Sequence, residues 1–456
     1  MSSATLTYPV SGPRAYDLPL KDWLLYAFAA VYPLLMFSIT FSRDSLPFWV
    51  VIGLTLVTLL EFLQTRRFWF ERSFVYLFLF ASAYFLLGTY NIISADSSIG
   101  LMGRTPADRA FTIDLRVLYV VLAFVVFTNS LAGASEVVFR RIFKIQVGVG
   151  AALALFGILQ FVTFVFFNSQ AIIDIQPTNE TYGGRSYFIQ RLGRDKIFRA
   201  SGLFTEPSWF GFFLVPLTVK FVVGWAHGIV MGPKPVQIVL LVIYCLAIFV
   251  NFSLTAILAV AVLMIFFVLR FIWRAPGRAL AVLFAGAVVA VAVILSPVGE
   301  PLMGRIGKVF ALKDVSTLDR LLRAYTGFQV WVENPWLGVG PGGFALLYPR
   351  MGGWWSGNIM ATPLNIWFSI LADVGLAGFI PFLLFLWRIL RGAVRRAKEH
   401  PLAAVYLWSV SAHLVLLTTI DIWYTEILWF ELALLLCLTS GPGLRRVSQP
   451  AATAHV

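Results

Sequence analysis

Apolar residues follow one another along this chain in blocks of about twenty, and short polar segments separate the blocks. A helix of about twenty apolar residues is long enough to cross the ~30 Å hydrocarbon core of a bilayer. Each block therefore predicts one membrane-spanning helix. About twelve such helices are predicted, over residues 23–42, 46–64, 74–93, 115–134, 145–168, 207–230, 236–251, 254–273, 279–296, 362–387, 402–420 and 425–440.

The composition agrees with this pattern. Hydrophobic residues make up 59% of the chain and charged residues 12%, whereas a soluble domain carries roughly 25% charged residues. We therefore expect an all-α polytopic membrane protein that forms a single integral membrane domain over residues 1–456. Because residues 1–21 lack the pattern of a signal peptide, the first helix is expected to be retained.

Lysine and arginine indicate how the helices are oriented. The short loops on one side of the predicted membrane are rich in these residues, as at 66–72 and 388–398, and such loops remain in the cytoplasm. Both termini are therefore expected to be cytoplasmic. Three longer segments are expected on the opposite, outer side, at 94–114, 169–206 and 297–361.

The outer segments are also basic, but their basic residues are mostly arginines. In and beside these segments the chain has eleven arginines and three lysines. The planar guanidinium group suits forked recognition of phosphate oxygens. This bias indicates an anionic ligand on the outer side, although ordinary solvated loop charge is the alternative for any single residue.

Cysteine and histidine, which often form catalytic or metal-binding sites, are few in this chain. Cys245 and Cys437 lie inside predicted spans, and the four histidines lie outside the outer segments. A disulfide framework is therefore not expected, and neither a metal nor a cofactor is expected. His413 lies in the middle of a predicted span, where an interhelical hydrogen bond is the favoured interpretation over a functional role.

The largest outer segment, 297–361, contains an amphipathic pattern. Apolar residues recur at helical spacing over 316–333, which predicts a helix that lies along the membrane. Asp314 or Ser316 is expected to cap its start, and Asn334-Pro335 to end it. The stretch GVGPGGF that follows predicts a bare-backbone turn that a ligand could approach closely, or a packed Gly-Pro turn.

Three motifs occur in order on the predicted outer side. The first is formed by Arg199, Gly202 and Pro207, the second by Ser316, Arg320, Asn334, Pro335, Gly338, Gly340, Gly342 and Phe344, and the third by Asn365, Asp373, Gly375 and Gly378. With these motifs, roughly residues 195–385 resemble the bacterial O-antigen ligase and polymerase superfamily, which comprises Wzy-like polymerases and their ligase relatives.

The resemblance implies a GT-C-like glycosyltransferase in the bacterial inner membrane with its active site at the periplasmic face. Its substrate would be an undecaprenyl-pyrophosphate-linked glycan, and its partners a chain-length regulator and export machinery. Nucleic acid is not expected as a partner. Ligases of this superfamily carry a histidine at the position of Leu364. The absence of this histidine favours a repeat-unit polymerase over a ligase that transfers glycan to lipid A-core.

The resemblance also implies roles for individual residues. Arg199 and Arg320 would hold the donor pyrophosphate, and Glu206 would act as the catalytic base, pair with Arg199 or simply neighbour the helix cap. The predicted substrate-binding residues are Arg194, Arg323, Gly340, Gly342 and Asn365. Asn365 has capping as its alternative role. Asp421 and Glu426 are alternative candidates for the catalytic base, but capping is the favoured interpretation for both.

A different class of function stays open. A secondary transporter or flippase for an anionic substrate would also line an outer vestibule with arginine. Such a protein would need polar breaks within several spans, whereas the predicted spans between 236 and 296 are continuously apolar. The sequence therefore favours the enzyme.

Overall fold

The computed structural model describes residues 19–34, 45–94, 105–167, 189–192, 195–204, 206–229, 231–272, 276–277, 280, 295, 299–311, 313–348 and 362–441. In these parts the chain is almost entirely helical. Its helices are α1 (Pro19–Val31), α2 (Leu46–Thr65), α3 (Ser73–Ser94), α4 (Pro106–Leu131), α5 (Glu136–Phe167), α6 (Pro207–Ala226), α7 (Lys234–Asn251), α8 (Leu254–Ile272), α9 (Gly299–Phe310), α10 (Val315–Glu333), α11 (Gly343–Leu347), α12 (Ile366–Arg396), α13 (Pro401–Leu416) and α14 (Glu426–Ser440).

Two shorter elements complete the description. A 3-10 turn, Tyr32–Leu34, follows α1 directly. Strands β1 (Ile189–Leu192) and β2 (Asp195–Phe198) form an antiparallel hairpin in which Ile189 lies opposite Phe198. The expectation of an all-α chain is therefore correct except for this hairpin, which lies between α5 and α6.

Seven of the described helices are long and apolar enough to cross a membrane, namely α2 to α7 and α12. The protein is therefore a multi-pass membrane protein by the length and composition of its helices. The helices named above overlap eleven of the twelve predicted spans, and most of the remaining span, 279–296, lies outside the described residues. The count of twelve spans and the side on which each terminus lies stay predictions.

Helix α4 begins earlier than the sequence pattern predicts. Its span was expected from residue 115, but the helix starts at Pro106. Thr105 and Asp108 form a capping box in which each side chain accepts a hydrogen bond from the backbone amide of the other. Pro106 occupies the first helical position, where its missing N–H is not needed. Part of the expected outer segment 94–114 is therefore helix, and Arg109 lies on its first turns.

The core is formed by aromatic and aliphatic side chains from helices that are distant in sequence. Phe124 on α4 packs against Trp429 on α14 with ring centroids 5.9 Å apart, and Phe80 on α3 packs against Phe382 on α12 at 5.0 Å. All of these rings are buried. Phe124 also packs against Phe385 on α12 at 5.2 Å. These ring contacts join α12 to both α3 and α4, and α4 to α14.

A polar cluster is also buried in the bundle. Lys220 on α6 pairs with Glu431 on α14, and the two side chains are 1% and 0% exposed. Gln146 on α5 donates to Glu431 at 2.9 Å and accepts from Lys220 at 3.0 Å. Ser409 on α13 donates to the second oxygen of Glu431 at 3.2 Å. The pair therefore has the hydrogen bonds that a buried charge requires.

Helix α12 is interrupted at Gly375, which adopts a left-handed φ of +54° and breaks the helical hydrogen-bond pattern. The segment after α10 replaces the lost bonds. The amide of Val339 donates to Ala372 at 2.8 Å, and the amide of Leu376 donates to the carbonyl oxygen of Pro335 at 2.9 Å. The GVGPGGF stretch is thus a packed turn against the break in α12, which is the second of its two predicted interpretations.

The predicted amphipathic helix is present as α10. Asp314 caps it by accepting a hydrogen bond from the amide of Thr317 at 3.0 Å, and Asn334 is its C-cap. Apolar residues on one face are exposed, with Leu321 at 51% and Tyr325 at 58%. On the opposite side Arg323 is buried. An orientation along the membrane surface remains a prediction that this exposed apolar face supports.

Candidate active site

The N-terminal ends of α4, α6 and α12 lie around one cavity, together with α10 and the loop between α13 and α14. We call this space, which has a volume of about 430 Å³, the main cavity. Its charged lining residues are Arg109, Arg116, Glu206, Asp319, Arg320, Arg323, Asp373 and Asp421. Arginines from two helices therefore share one space with carboxylates from four segments of the chain.

Helix α4 contributes two of these arginines. Arg109 and Arg116 are seven residues apart, which is about two helical turns and places both on one face. The Arg116 guanidinium lies 4.8 Å from the centre of the Tyr424 ring. Neither arginine was assigned to the site from sequence. The signal that could have found them is the capping box at Thr105, because it moves the helix start before Arg109 and so places Arg109 on the same helix as Arg116.

Helix α10 contributes the two arginines that were predicted. Arg320 donates to the backbone carbonyl of Thr419 in the loop after α13. Arg323 is held by Asp319 through a 3.0 Å hydrogen bond and lies 5.6 Å from the centre of the Tyr348 ring. Burial lowers the pKa of Arg320, while the nearby Glu206 carboxylate opposes this shift. Because guanidinium remains protonated at any physiological pH, Arg320 stays cationic despite this shift.

Glu206 is the N-cap residue of α6, and Pro207 follows at the first helical position as expected. Its carboxylate makes no capping hydrogen bond to the helix backbone. It instead accepts a 2.9 Å hydrogen bond from the hydroxyl of Ser208. The side chain is exposed and lines the main cavity at the start of α6, where free N–H groups favour an anion.

A second cavity of about 360 Å³, here called the side cavity, lies next to the first. Arg199 lines it, and the backbone around Arg199 is fixed by a hydrogen bond from Asn251 to the Ala200 carbonyl at 2.9 Å. Four residues line both cavities, namely Glu206, Ser208, Ser316 and Arg320. Arg199 and Arg320 are distant in sequence, and the structure brings them into the lining of the same side cavity.

The remaining predicted substrate-binding residues do not all line a cavity. Gly342 lines the main cavity, where a Cβ atom would lie 3.1 Å from Arg109. Gly340 is buried and does not belong to the lining of either cavity. Asn365 also lies outside both linings and caps α12 by accepting from the amide of Trp367 at 3.0 Å. Arg194 lies outside the described residues.

The loop between α13 and α14 contributes Asp421, which is 6% exposed and lines the main cavity. Its Oδ2 accepts a 2.9 Å hydrogen bond from the Ser369 hydroxyl. Burial raises the pKa of Asp421 to about 6, against the lowering effect of Ser369. Leu364, which has a left-handed φ of +51°, lines the same cavity. Glu426 is not part of either lining and accepts from Tyr119 at 2.6 Å.

His413 is buried on α13, away from both cavity linings. Its Nδ1 lies 3.1 Å from the Ser409 carbonyl of its own helix. The ring packs against Phe212 on α6 with centroids 4.9 Å apart. The contact with the neighbouring helix is therefore ring packing, and the hydrogen bond that was expected between helices is instead within one helix.

In the part of the chain that the structure describes, histidine, cysteine and carboxylate side chains form no group of three or more that could hold a metal ion. The carboxylates of the main cavity instead have hydrogen-bond donors as neighbours. Asp373, for example, accepts from the Tyr84 hydroxyl at 3.4 Å. The charged side chains of the main cavity that could bind an anion are therefore its arginines.

A comparison with protein families identifies the segment that contains α10 and its arginines. Residues 239–383 match the family model described as O-antigen ligase. This part of the chain is therefore similar to the O-antigen ligase family, and we call it the ligase-like segment. The resemblance predicted from the sequence is thereby confirmed, and members of this family are glycosyltransferase-like enzymes. The comparison with curated proteins gave no match.

The ligase-like segment supplies only part of the site. It contains Arg320 and Arg323, the glycine turn and the first half of α12. Arg109 and Arg116 precede it, as do Arg199 and Glu206, and Asp421 follows it. The main cavity is therefore completed by parts of the chain on both sides of the ligase-like segment.

Proposed function

We propose that the protein polymerises undecaprenyl-pyrophosphate-linked oligosaccharide repeat units into exopolysaccharide, capsule or O-antigen. The observation that carries this proposal is the pair of adjoining cavities in a chain that contains the ligase-like segment. Each cavity is lined by arginine, and Arg320 belongs to both. Joining two repeat units requires space for two lipid-linked pyrophosphates, and two adjoining cavities with arginine in their linings suit that requirement.

The arginines would act on the leaving group. When the glycosidic bond forms, the bond between the anomeric carbon and the donor pyrophosphate breaks, and negative charge develops on the pyrophosphate. Fixed cations in a water-poor site stabilise such charge without reorganising. Arg199 and Arg320 both line the side cavity, and the start of α6 adds free N–H groups there. We propose that these groups allow metal-independent transfer.

The stereochemical outcome follows from the same arrangement. A retaining mechanism requires a nucleophile that forms a covalent intermediate with the sugar. We propose that the acceptor hydroxyl instead attacks the anomeric carbon directly, with the pyrophosphate leaving on the opposite side. Transfer would therefore invert the configuration at that carbon.

The location and partners are part of the proposal. Seven helices suit a membrane, and we propose the bacterial inner membrane with both cavities at its periplasmic face. A lipid-linked repeat unit would reach them from the outer leaflet. A chain-length regulator and export machinery are the proposed protein partners, because a polymerase alone does not limit or release its product.

One alternative has a specific observation in its favour. The matching family is described as O-antigen ligase, and a ligase would transfer the finished glycan to lipid A-core. Against it, ligases of the superfamily carry a histidine where this chain has Leu364, and Leu364 lines the main cavity. The polymerase is therefore the function that the residues of the site favour.

The test is a reaction with one kind of lipid-pyrophosphate-linked repeat unit and the purified protein in detergent. A polymerase makes a ladder of glycan lengths from this single substrate. A ligase makes nothing until lipid A-core is added, and then produces one shifted band. A transporter makes no new linkage in either reaction. Only the ladder agrees with the proposed function.

A further inference from the structure

Asp421 occupies an unusual position for a carboxylate. It lies in the short loop between α13 and α14 and is 6% exposed, yet it lines the main cavity. The position of the superfamily's histidine, Leu364, lines the same cavity. The two segments are joined directly, because the amide of Ile366 donates to the Leu417 carbonyl at 2.9 Å. Asp421 is thus a proton acceptor in the same cavity as the apolar Leu364.

The two oxygens of Asp421 differ in their contacts. Oδ2 accepts the hydrogen bond from Ser369, which fixes the orientation of the carboxylate. Oδ1 is buried and makes no hydrogen bond of normal geometry to a described residue. The Thr362 hydroxyl, which also lines the main cavity, lies near enough to the carboxyl to lower its pKa. A buried acceptor without a partner is costly in a folded protein and calls for an explanation. A substrate hydroxyl in the cavity would provide the missing donor.

The charges around Asp421 also suit a group that exchanges a proton. Arg116 on α4 interacts favourably with its carboxylate. Asp373 on α12 is the neighbouring carboxyl with which Asp421 interacts electrostatically. Tyr84 on α3 and Tyr424 in the same loop are the other titratable neighbours. Burial outweighs the stabilising contacts and raises the pKa of Asp421 to about 6. A general base works best when its pKa is near the working pH.

Glu206 is the competing carboxylate, and its geometry suits a different role. It is exposed on the wall that the two cavities share, with Arg320 as a charged neighbour. One of its oxygens already accepts from Ser208. An exposed carboxylate beside an arginine is well suited to orient that arginine. Asp421 is buried and has an acceptor oxygen without a hydrogen bond of normal geometry, whereas Glu206 is exposed.

We propose that Asp421 is the general base that accepts the proton of the acceptor hydroxyl. This assignment rests on the proposed function. The hydroxyl oxygen forms the new bond to the anomeric carbon of the donor, and the bond from that carbon to the pyrophosphate oxygen breaks with its electron pair. The proton moves from the hydroxyl to Oδ1 of Asp421, and the pyrophosphate leaves as an anion.

The first experiment compares Asp421→Asn with Glu426→Gln in the single-substrate reaction. The control changes a buried carboxylate at the start of α14, which lies outside both cavity linings. Asp421→Asn is expected to lower kcat at least about 100-fold with little change in KM, because general-base catalysis contributes roughly 10²–10⁴-fold. Glu426→Gln is expected to keep at least about a third of the wild-type rate, since glutamine still accepts from Tyr119. Turnover by Asp421→Asn within about threefold of wild type would overturn the assignment.

The second experiment does not require the Asp421→Asn variant to fold. The wild-type rate should fall as the pH drops below about 6, because protonated Asp421 cannot accept a proton. Ser369→Ala removes a hydrogen bond that lowers the pKa of Asp421, so the fall should begin at higher pH. A purely structural role for Ser369 would reduce the rate equally at all pH values. If the pH below which the rate falls is the same for Ser369→Ala as for wild type, the assignment is overturned.

The two proposals fail in different ways. Wild-type protein that forms no glycosidic linkage under any of these conditions would contradict the proposed function and the role of Asp421 with it. Wild-type protein that makes the ladder while Asp421→Asn makes it equally fast would overturn only the base. If Glu206→Gln then abolished turnover and the acidic limb together, Glu206 would be the base in place of Asp421.

Discussion

The backbone amide of Gly340 donates a hydrogen bond to the carbonyl oxygen of Asp373 at 2.9 Å. That carbonyl is free to accept because α12 is interrupted at Gly375. The side chain of Asp373 in turn interacts with the backbone amide of Gly342, which lines the main cavity. The glycine turn and the helix break are therefore one structural unit that forms part of the cavity wall.

Gly375→Ala should destabilise this unit. The left-handed φ of Gly375 disfavours any side chain, and a Cβ atom there would overlap the carbonyl carbon of Trp336. We expect a loss of about 2 kcal/mol or more, seen as a lower melting temperature in detergent. Gly392→Ala in the same helix is the control, because its Cβ would meet Thr439 at an ordinary 3.6 Å. Equal melting temperatures for the two variants would contradict this account of the break.

The features that the sequence predicted correctly depend on neighbouring residues. Asp314 caps α10, Asn334 ends it, and Pro207 begins α6, because caps and helix starts are decided within a few residues. The start of α4 was missed although its signal is also local. The Thr105–Asp108 capping box lay in a stretch that was assigned to a loop on account of its charge.

The features that the sequence could not predict depend on distant contacts. The break at Gly375 is stabilised by the carbonyls of Pro335 and Trp336, which belong to another segment of the chain. The burial of Asp421 in the main cavity likewise requires α3, α4 and α12 to pack around its loop. Periodicity and motif spacing report on one helix at a time, so they cannot indicate which carboxylate is buried beside the arginines.

Glu431→Gln should be strongly destabilising. It would leave the ammonium group of Lys220 buried without its counter-ion, and breaking a buried ion pair by removing one partner costs about 3–5 kcal/mol. The double variant Lys220→Met/Glu431→Gln removes both charges and should recover at least about half of the lost melting temperature. The control is Glu71→Gln, which breaks the more exposed Arg388–Glu71 pair and should cost about 1 kcal/mol or less. A double variant no more stable than Glu431→Gln alone would contradict a direct pairing.

His413→Ala should leave turnover within about threefold of wild type. The ring packs against Phe212 and hydrogen bonds within its own helix, and it lies outside both cavity linings. Some loss of melting temperature is expected from the cavity that the substitution creates. The measurement is the initial rate per folded molecule in the single-substrate reaction. A rate reduced 100-fold at unchanged substrate affinity would show that His413 takes part in the chemistry.

Turnover should be unchanged in excess chelator. The reason is that the arginines of the main cavity already provide fixed positive charge at the place where the pyrophosphate would lie. The rate is measured with and without a chelator of divalent cations, after the purified protein has been dialysed against it. Loss of product on chelation that magnesium or manganese restores would contradict metal-independent transfer.

The central claim is that the cavity arginines carry the glycosyl transfer, and Arg320→Lys tests it most directly. Lysine keeps the positive charge but cannot reproduce the forked guanidinium contact with phosphate oxygens. The measurement is the initial rate of polyprenyl pyrophosphate release from a single lipid-linked repeat unit, with the exposed Arg391→Lys near the far end of α12 as control. The account predicts that Arg320→Lys lowers this rate at least about tenfold, in line with the loss of one transition-state donor, while Arg391→Lys equals wild type. Equal rates for Arg320→Lys and wild type at equal amounts of folded protein would contradict it.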